Sequence, residues 1–131
     1  MSAELQNHND GRPTILVVDD FDDTRLLLRT WLRKKGYRVV EAENGNEAIA
    51  KAQETEPDLI IMDVEMPELD GLAATRQIRK LKDAAELPIV AVSAYGADLF
   101  REPALAAGCN EYMSTPFEPE ALENLIRSLI K

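Results

Sequence analysis

Five short apolar runs, separated by longer stretches of helical period, set the rhythm of this chain. The runs are TILVV (Thr14 to Val18), YRVVEA (Tyr37 to Ala42), DLIIM (Asp58 to Met62), PIVAVS (Pro88 to Ser93) and EYM (Glu111 to Met113). Several show no polar alternation, the pattern of strands buried on both faces. Between them the spacing predicts helices. Thr24 to Lys35 follows Asp22 and Asp23, both good N-caps, and ends in a basic turn before Gly36. Asn46 to Glu54 follows the turn signal Asn44-Gly45 and sets Ala48, Ile49 and Ala52 on one face.

Gly71 to Leu81 offers Leu72, Ala74, Ile78 and Leu81 as a buried stripe, with Arg76, Arg79 and Lys80 outward. Pro119 to Ile130 is the clearest amphipath, with Leu122, Leu125, Ile126 and Leu129 at helical spacing. The segment Asp98 to Ala107 contains Pro103, which a helix accepts only in its first turn, so that helix is expected to start near Glu102 or to bend. Strands alternating with helices make an α/β fold, a five-stranded parallel sheet with helices on both faces. Ligands of such sheets bind beyond the carboxyl ends of the strands, where the strand order switches.

The strand ends hold the candidate chemistry. The first run ends in Asp19-Asp20, the third in Asp63 and the fourth in Ser93, and the fifth is followed by Ser114-Thr115. Three carboxylates on one edge repel one another unless a cation joins them. Helix capping would explain one such Asp, but not three gathered on the same edge. Oxygen-only ligation without His or thiolate selects a hard ion, and Mg²⁺ fits.

Composition narrows the classes. The chain has 131 residues, one domain's worth, with 24 acidic against 15 basic residues and a formal net charge of -9. Such a charge repels phosphate backbones and anionic lipid, so no direct nucleic-acid or membrane partner is expected. Residues 1–13 are polar and read as a flexible tail, with 14–131 as the domain. No signal peptide or membrane span is legible, and a cytoplasmic location is expected. His8 in the tail reads as solvated, and the single cysteine, Cys109, as a small buried apolar residue.

Four motifs in order then resemble the receiver domain of two-component response regulators. They are the apolar strand before Asp19-Asp20, MDVEMPELDG with Asp63, Met66-Pro67 and Asp70-Gly71, VSA at Val92 to Ala94, and EYMSTPFEPEAL from Glu111. The resemblance runs from about Thr14 to the C-terminus and implies the flavodoxin-like (βα)5 receiver fold. It implies that Asp63 is the phospho-acceptor, and that Asp20, Asp63 and the backbone carbonyl of Glu65 ligate Mg²⁺, with Asp19 acting largely through water. Ser93 matches the hydroxyl residue that bonds the phosphoryl group, and Tyr112 the aromatic that changes rotamer with it. Thr115-Pro116 falls on the family's Lys-Pro pair, whose peptide bond is usually cis.

Thr115 is the departure from that pattern. A charge-assisted hydrogen bond contributes roughly 1.5 to 3 kcal/mol and a neutral one about 0.5 to 1.5, so the hydroxyl recovers part of a lysine's contact at best. No nearby basic residue obviously compensates; Arg101 sits in the fourth helical segment. Glu65 and Tyr95 flank the site and are expected to tune the phosphoryl lifetime.

Three functions follow as expectations. The first is a stand-alone receiver that is no enzyme in the ordinary sense, phosphorylated on Asp63 by a histidine kinase or phosphotransfer protein. Its output partner, of unknown identity, would bind the face from Asp98 to Ile130. The second is a phosphorylation-independent, receiver-like interaction module with an atypical active site. The third is a haloacid-dehalogenase-type phosphatase, from the D-x-D-x-T string Asp20 to Thr24. No G-x-x-x-x-G-K-[ST] or G-x-G-x-x-G follows a strand, which leaves nothing to cradle a nucleotide.

Overall fold

The computed structural model describes residues 11–66, 70–93 and 98–130. His8, nearly all of the expected tail, Pro67, Ala94, Tyr95 and Lys131 lie outside the described residues. Within them five strands alternate with helices: β1 (Thr14–Val18), α1 (Asp22–Lys34), β2 (Arg38–Ala42), α2 (Gly45–Thr55), β3 (Leu59–Asp63), α3 (Gly71–Arg79), β4 (Ile89–Ser93), α4 (Arg101–Ala107), β5 (Glu111–Ser114) and α5 (Pro119–Leu129). All neighbouring strands are parallel, in the order β2-β1-β3-β4-β5. The chain leaves β1 for one edge and returns on its other side, so the switch point lies between β1 and β3.

Alternation within each strand divides the core in two. Ile15, Val17, Leu59, Ile61 and Val90 point to the face covered by Leu32 of α1 and by Leu122 and Ile126 of α5. Leu16, Val18, Ile60, Met62, Ile89 and Ala91 point to the other, under Ala48 and Ala52 of α2, Ala74 and Ile78 of α3, and Ala104 of α4. The unbroken apolar runs exist because both faces are covered.

Several local expectations need correction. Neither Asp22 nor Asp23 caps α1; Phe21 holds that position without a side-chain cap, and both acids sit in the first turn, where they complement the helix dipole. Asn44 and Asp70 are true caps, accepting from the amides of Glu47 and Ala73 at 2.8 Å each. Leu81 is exposed, because α3 ends at Arg79, and Thr75 takes the buried place instead. Thr75 Oγ1 donates to the Gly71 carbonyl at 2.8 Å, which satisfies its hydroxyl inside the core.

Arg79 was expected to point outward, yet its guanidinium is part-buried. It donates to the carbonyls of Gly108 and Leu87 at 2.8 Å and to Asn110 Oδ1 at 2.9 Å. Pro103 is accommodated as anticipated, in the first turn of α4 after a 3₁₀ turn over Asp98–Phe100. Cys109 is buried against Thr75, and burial pushes its thiol up, as befits a core residue.

Candidate functional site

The carboxyl edge of the sheet gathers the residues singled out above. β1 and β3 are in register from Ile15↔Leu59 to Val18↔Met62, so the residues that follow, Asp19 and Asp63, come side by side. Asp19, Asp20 and Asp63 each offer a carboxylate oxygen, all within 4.8 Å of one another. Asp63 Oδ1 accepts from the Glu65 amide at 2.9 Å, and Asp19 Oδ1 from the Phe21 amide at 2.9 Å. Two tight turns thus aim both side chains back over the strand ends.

Gly71 makes this edge possible. A Cβ there would overlap the backbone carbonyl of Asp63, so only glycine lets the start of α3 approach β3 this closely. The Asp70-Gly71 pair therefore serves two ends, a cap for the helix and clearance for the site.

The electrostatics are those of crowded acids. Burial, followed by the charges of Asp19, Asp20 and Glu65, pushes Asp63 up to about 7 against an ordinary 3.8, although the Glu65 amide opposes the shift. Asp19 is also raised, chiefly by burial. The basic neighbour that sequence reasoning missed is Arg25, which draws Asp19 down and donates to its backbone carbonyl at 2.8 Å. In sequence Arg25 is one more charge on an amphipathic helix; nothing marks it as turned toward β1. Its guanidinium is also committed to Asp22 at 2.6 Å and Glu41 at 3.2 Å.

Ser93 ends β4 and is only 1% exposed. Its hydroxyl donates to Glu65 Oε2 at 2.7 Å. Sequence reasoning assigned Glu65 its backbone carbonyl; the side chain's hold on Ser93 had no signal in the chain. Tyr112 is buried in β5, beside Ala91 of β4, and the Arg101 guanidinium lies 5.1 Å from its ring centroid. Arg101 thus stacks on the aromatic.

Thr115 follows β5, its amide donating to the Ser93 carbonyl at 2.9 Å, and the Thr115-Pro116 peptide bond is cis. Thr115 also lines a cavity of about 380 Å³ whose wall includes Asp19, Asp63, Leu28, Trp31 and Phe117. The site therefore opens onto an apolar hollow between α1 and α5.

The donor set suits a hard divalent cation. Three converging carboxylates, oxygen-only chemistry and an Asp63 that retains its proton to about 7 describe an excess of negative charge that Mg²⁺ would relieve.

Known proteins place this geometry. The sequence profile of the response regulator receiver domain matches residues 15–127. The transcriptional regulatory protein ResD of Bacillus subtilis is 41% identical over 117 residues, 89% of this chain and 48% of that protein. The chemotaxis protein CheY of Thermotoga maritima is 35% identical over 118 residues, 89% of this chain and 97% of that protein. The chain thus spans about half the length of several curated relatives and nearly the whole of others. Among solved structures, the receiver domain of a sensor histidine kinase from Pseudomonas aeruginosa, with a magnesium ion coordinated in its active site cleft, superposes with a TM-score of 0.82 at 34% identity, over 91% of this chain and 98% of that one. With the fold, the strand-end acids and the profile in agreement, the chain belongs to the response regulator receiver domain family of two-component systems, with the flavodoxin-like fold.

Proposed function

We propose that residues 14–131 form a receiver that accepts a phosphoryl group on Asp63 and signals through a partner-binding surface. The observation behind it is the convergence of Asp19, Asp20 and Asp63 within 4.8 Å at the switch point of the sheet. The donor is a histidine kinase or phosphotransfer protein. An Asp63 carboxylate oxygen attacks phosphorus, the bond from phosphorus to the donor's imidazole nitrogen breaks, and that nitrogen keeps the electron pair. The product is an acyl phosphate, a mixed anhydride that water later hydrolyses back to the carboxylate. The chemistry of this site is turnover of its own phosphoryl group, that of a signalling domain rather than an ordinary enzyme.

Asp19, Asp20, Asp63 and the Glu65 backbone carbonyl would hold Mg²⁺. Bound there, the ion would neutralise charge on the carboxylates and on the phosphoryl oxygens. Ser93 would donate its hydroxyl to the phosphoryl group, and Thr115, which lines the same cavity as Asp19 and Asp63, would offer a neutral hydroxyl. Ser93 and Tyr112 point to the same face of adjacent strands, so a movement of one changes the space left for the other. That coupling leads to the surface of α4, β5 and α5, the face proposed for the output partner. Among the described residues no helix is long and apolar enough to cross a membrane.

The experiment is incubation with a small phosphodonor and Mg²⁺, followed by intact mass. A gain of one phosphate, lost in Asp63→Ala, is the expected result; no gain would refute the reading. The interaction-module reading remains the second, favoured by one contact, the prior engagement of Ser93 by Glu65. The phosphatase reading loses ground to the geometry. Asp22, its second acid, is exposed and paired with Arg25 rather than turned to the carboxylate cluster.

A further inference from the structure

Ser93 has a single proton to donate, and that proton is already engaged. Its hydroxyl meets a carboxylate oxygen of Glu65 at 2.7 Å, in a position that is almost wholly buried. A hydroxyl bonded to an anionic oxygen is among the stronger neutral-donor contacts, and a carboxylate oxygen and a phosphoryl oxygen are acceptors of the same kind. Glu65 is held in this role by its own backbone, since its amide is tied to Asp63 Oδ1 at 2.9 Å. The side chain that competes for Ser93 therefore rises from the turn that aims the phospho-acceptor.

The consequence reaches Tyr112. Ala91 faces Tyr112 across the β4–β5 pair, and Ser93, two residues on, points to the same side of the sheet. The Tyr112 ring is buried on that side, with Arg101 stacked upon it. Hydroxyl and ring thus lie in one layer.

We propose that the Glu65 carboxylate acts as a built-in stand-in for a phosphoryl oxygen, drawing Ser93 toward the acceptor edge and holding Tyr112 in its inward position before a phosphoryl group arrives. Phosphorylation then exchanges one anionic acceptor of the Ser93 proton for another. A ligand shifts a two-state equilibrium only by its differential affinity for the two states, so this exchange narrows the response of the α4-β5-α5 surface. Glu65 is a positioning residue in this scheme, setting how far output depends on phosphorylation. The inference rests on the phospho-acceptor reading of Asp63 for the phosphoryl arm alone.

The test uses nuclear magnetic resonance of the full chain, following the Ser93 and Tyr112 amides in wild type, Glu65→Ala and Glu65→Gln, with and without beryllofluoride and Mg²⁺. Without the fluoride probe, Glu65→Ala is expected to move both amides, while Glu65→Gln, which keeps an oxygen acceptor, stays near wild type. With the probe, the Tyr112 shift is expected to be larger in Glu65→Ala than in wild type. If Glu65→Ala leaves both amides where they were, or if wild type responds as fully as Glu65→Ala, the inference is overturned. A bound-fluoride signal lost in Asp63→Ala reports separately on the acceptor. Its absence would overturn that reading, while the probe-free comparison would still decide the role of Glu65.

Discussion

Asp63 shows how much of this site is decided by one side chain's surroundings. Burial and its acidic neighbours push its carboxyl up to about 7, whereas its ordinary value is 3.8. Between those values the folded state binds more protons than the unfolded chain. The resulting stability is fully present below 3.8 and is lost as the pH rises through 7. Asp63→Asn, which cannot ionise, should therefore unfold later than wild type at pH 8 in chelator, by about 1 to 2 kcal/mol after allowance for solvent screening. Near pH 4 the two should coincide. Urea titrations at both values check this, and an Asn variant weaker than wild type at pH 8 would contradict the crowded-acid description. Gly71→Ala should be more damaging, because its methyl would drive into the Asp63 carbonyl; a loss of about 2 kcal/mol or more, read from the same titrations, is expected.

Among the elements, α1 and α3 differ most from what their patterns suggest. α1 buries only Leu32 fully, while Leu26 and Leu27 stand exposed, as does Phe21 just before the helix, and Leu27 lines the cavity that reaches Asp63. Exposed apolar side chains grouped beside a reactive group mark a contact surface. Leu27→Glu should slow phosphotransfer from a protein donor by about tenfold, equivalent to about 1.4 kcal/mol, yet leave labelling by a small phosphodonor unchanged. Equal slowing of both would remove α1 from the donor interface. At the far end of α3, Arg79 braces three stretches of backbone and Asn110 at once. Arg79→Ala should lower stability by about 2 to 3 kcal/mol in denaturant, and Arg79→Lys should restore less than half, since an ammonium lacks the planar fork.

The same two helices explain what the sequence could and could not disclose. Strand positions were legible because short, β-branched runs such as LIIM suit a doubly covered strand, and the three acids were legible because they sit at strand ends. Arg79 was misread because helical period places it on an outer face, and no local signal announces the carbonyls of Gly108 and Leu87 that turn it inward. The Glu65 contact to Ser93 was hidden for a similar reason: 28 residues separate partners that adjacent strands bring together.

For the whole molecule, a net charge of -9 and an acidic cluster on one edge make the folded state sensitive to cations. Millimolar Mg²⁺ should raise the melting temperature, because an ion that binds only the folded form stabilises it by mass action. Thr115→Lys should shrink that rise, since its ammonium would enter the same cavity wall beside Asp19 and Asp63. Calorimetry with and without chelator reads both effects, and a melting curve indifferent to Mg²⁺ would remove the metal from the site. The two ends of α3 also act together on this scale. Gly71 abuts β3, and Arg79 is fastened to the turn before β5, so the nine residues from Gly71 to Arg79 work as a ruler. Adding or deleting one residue would rotate one anchor by about 100° against the other. Changes of length should therefore be refused inside α3, and also in the stretch that follows it, whose Lys82 and Leu87 carbonyls Arg79 holds.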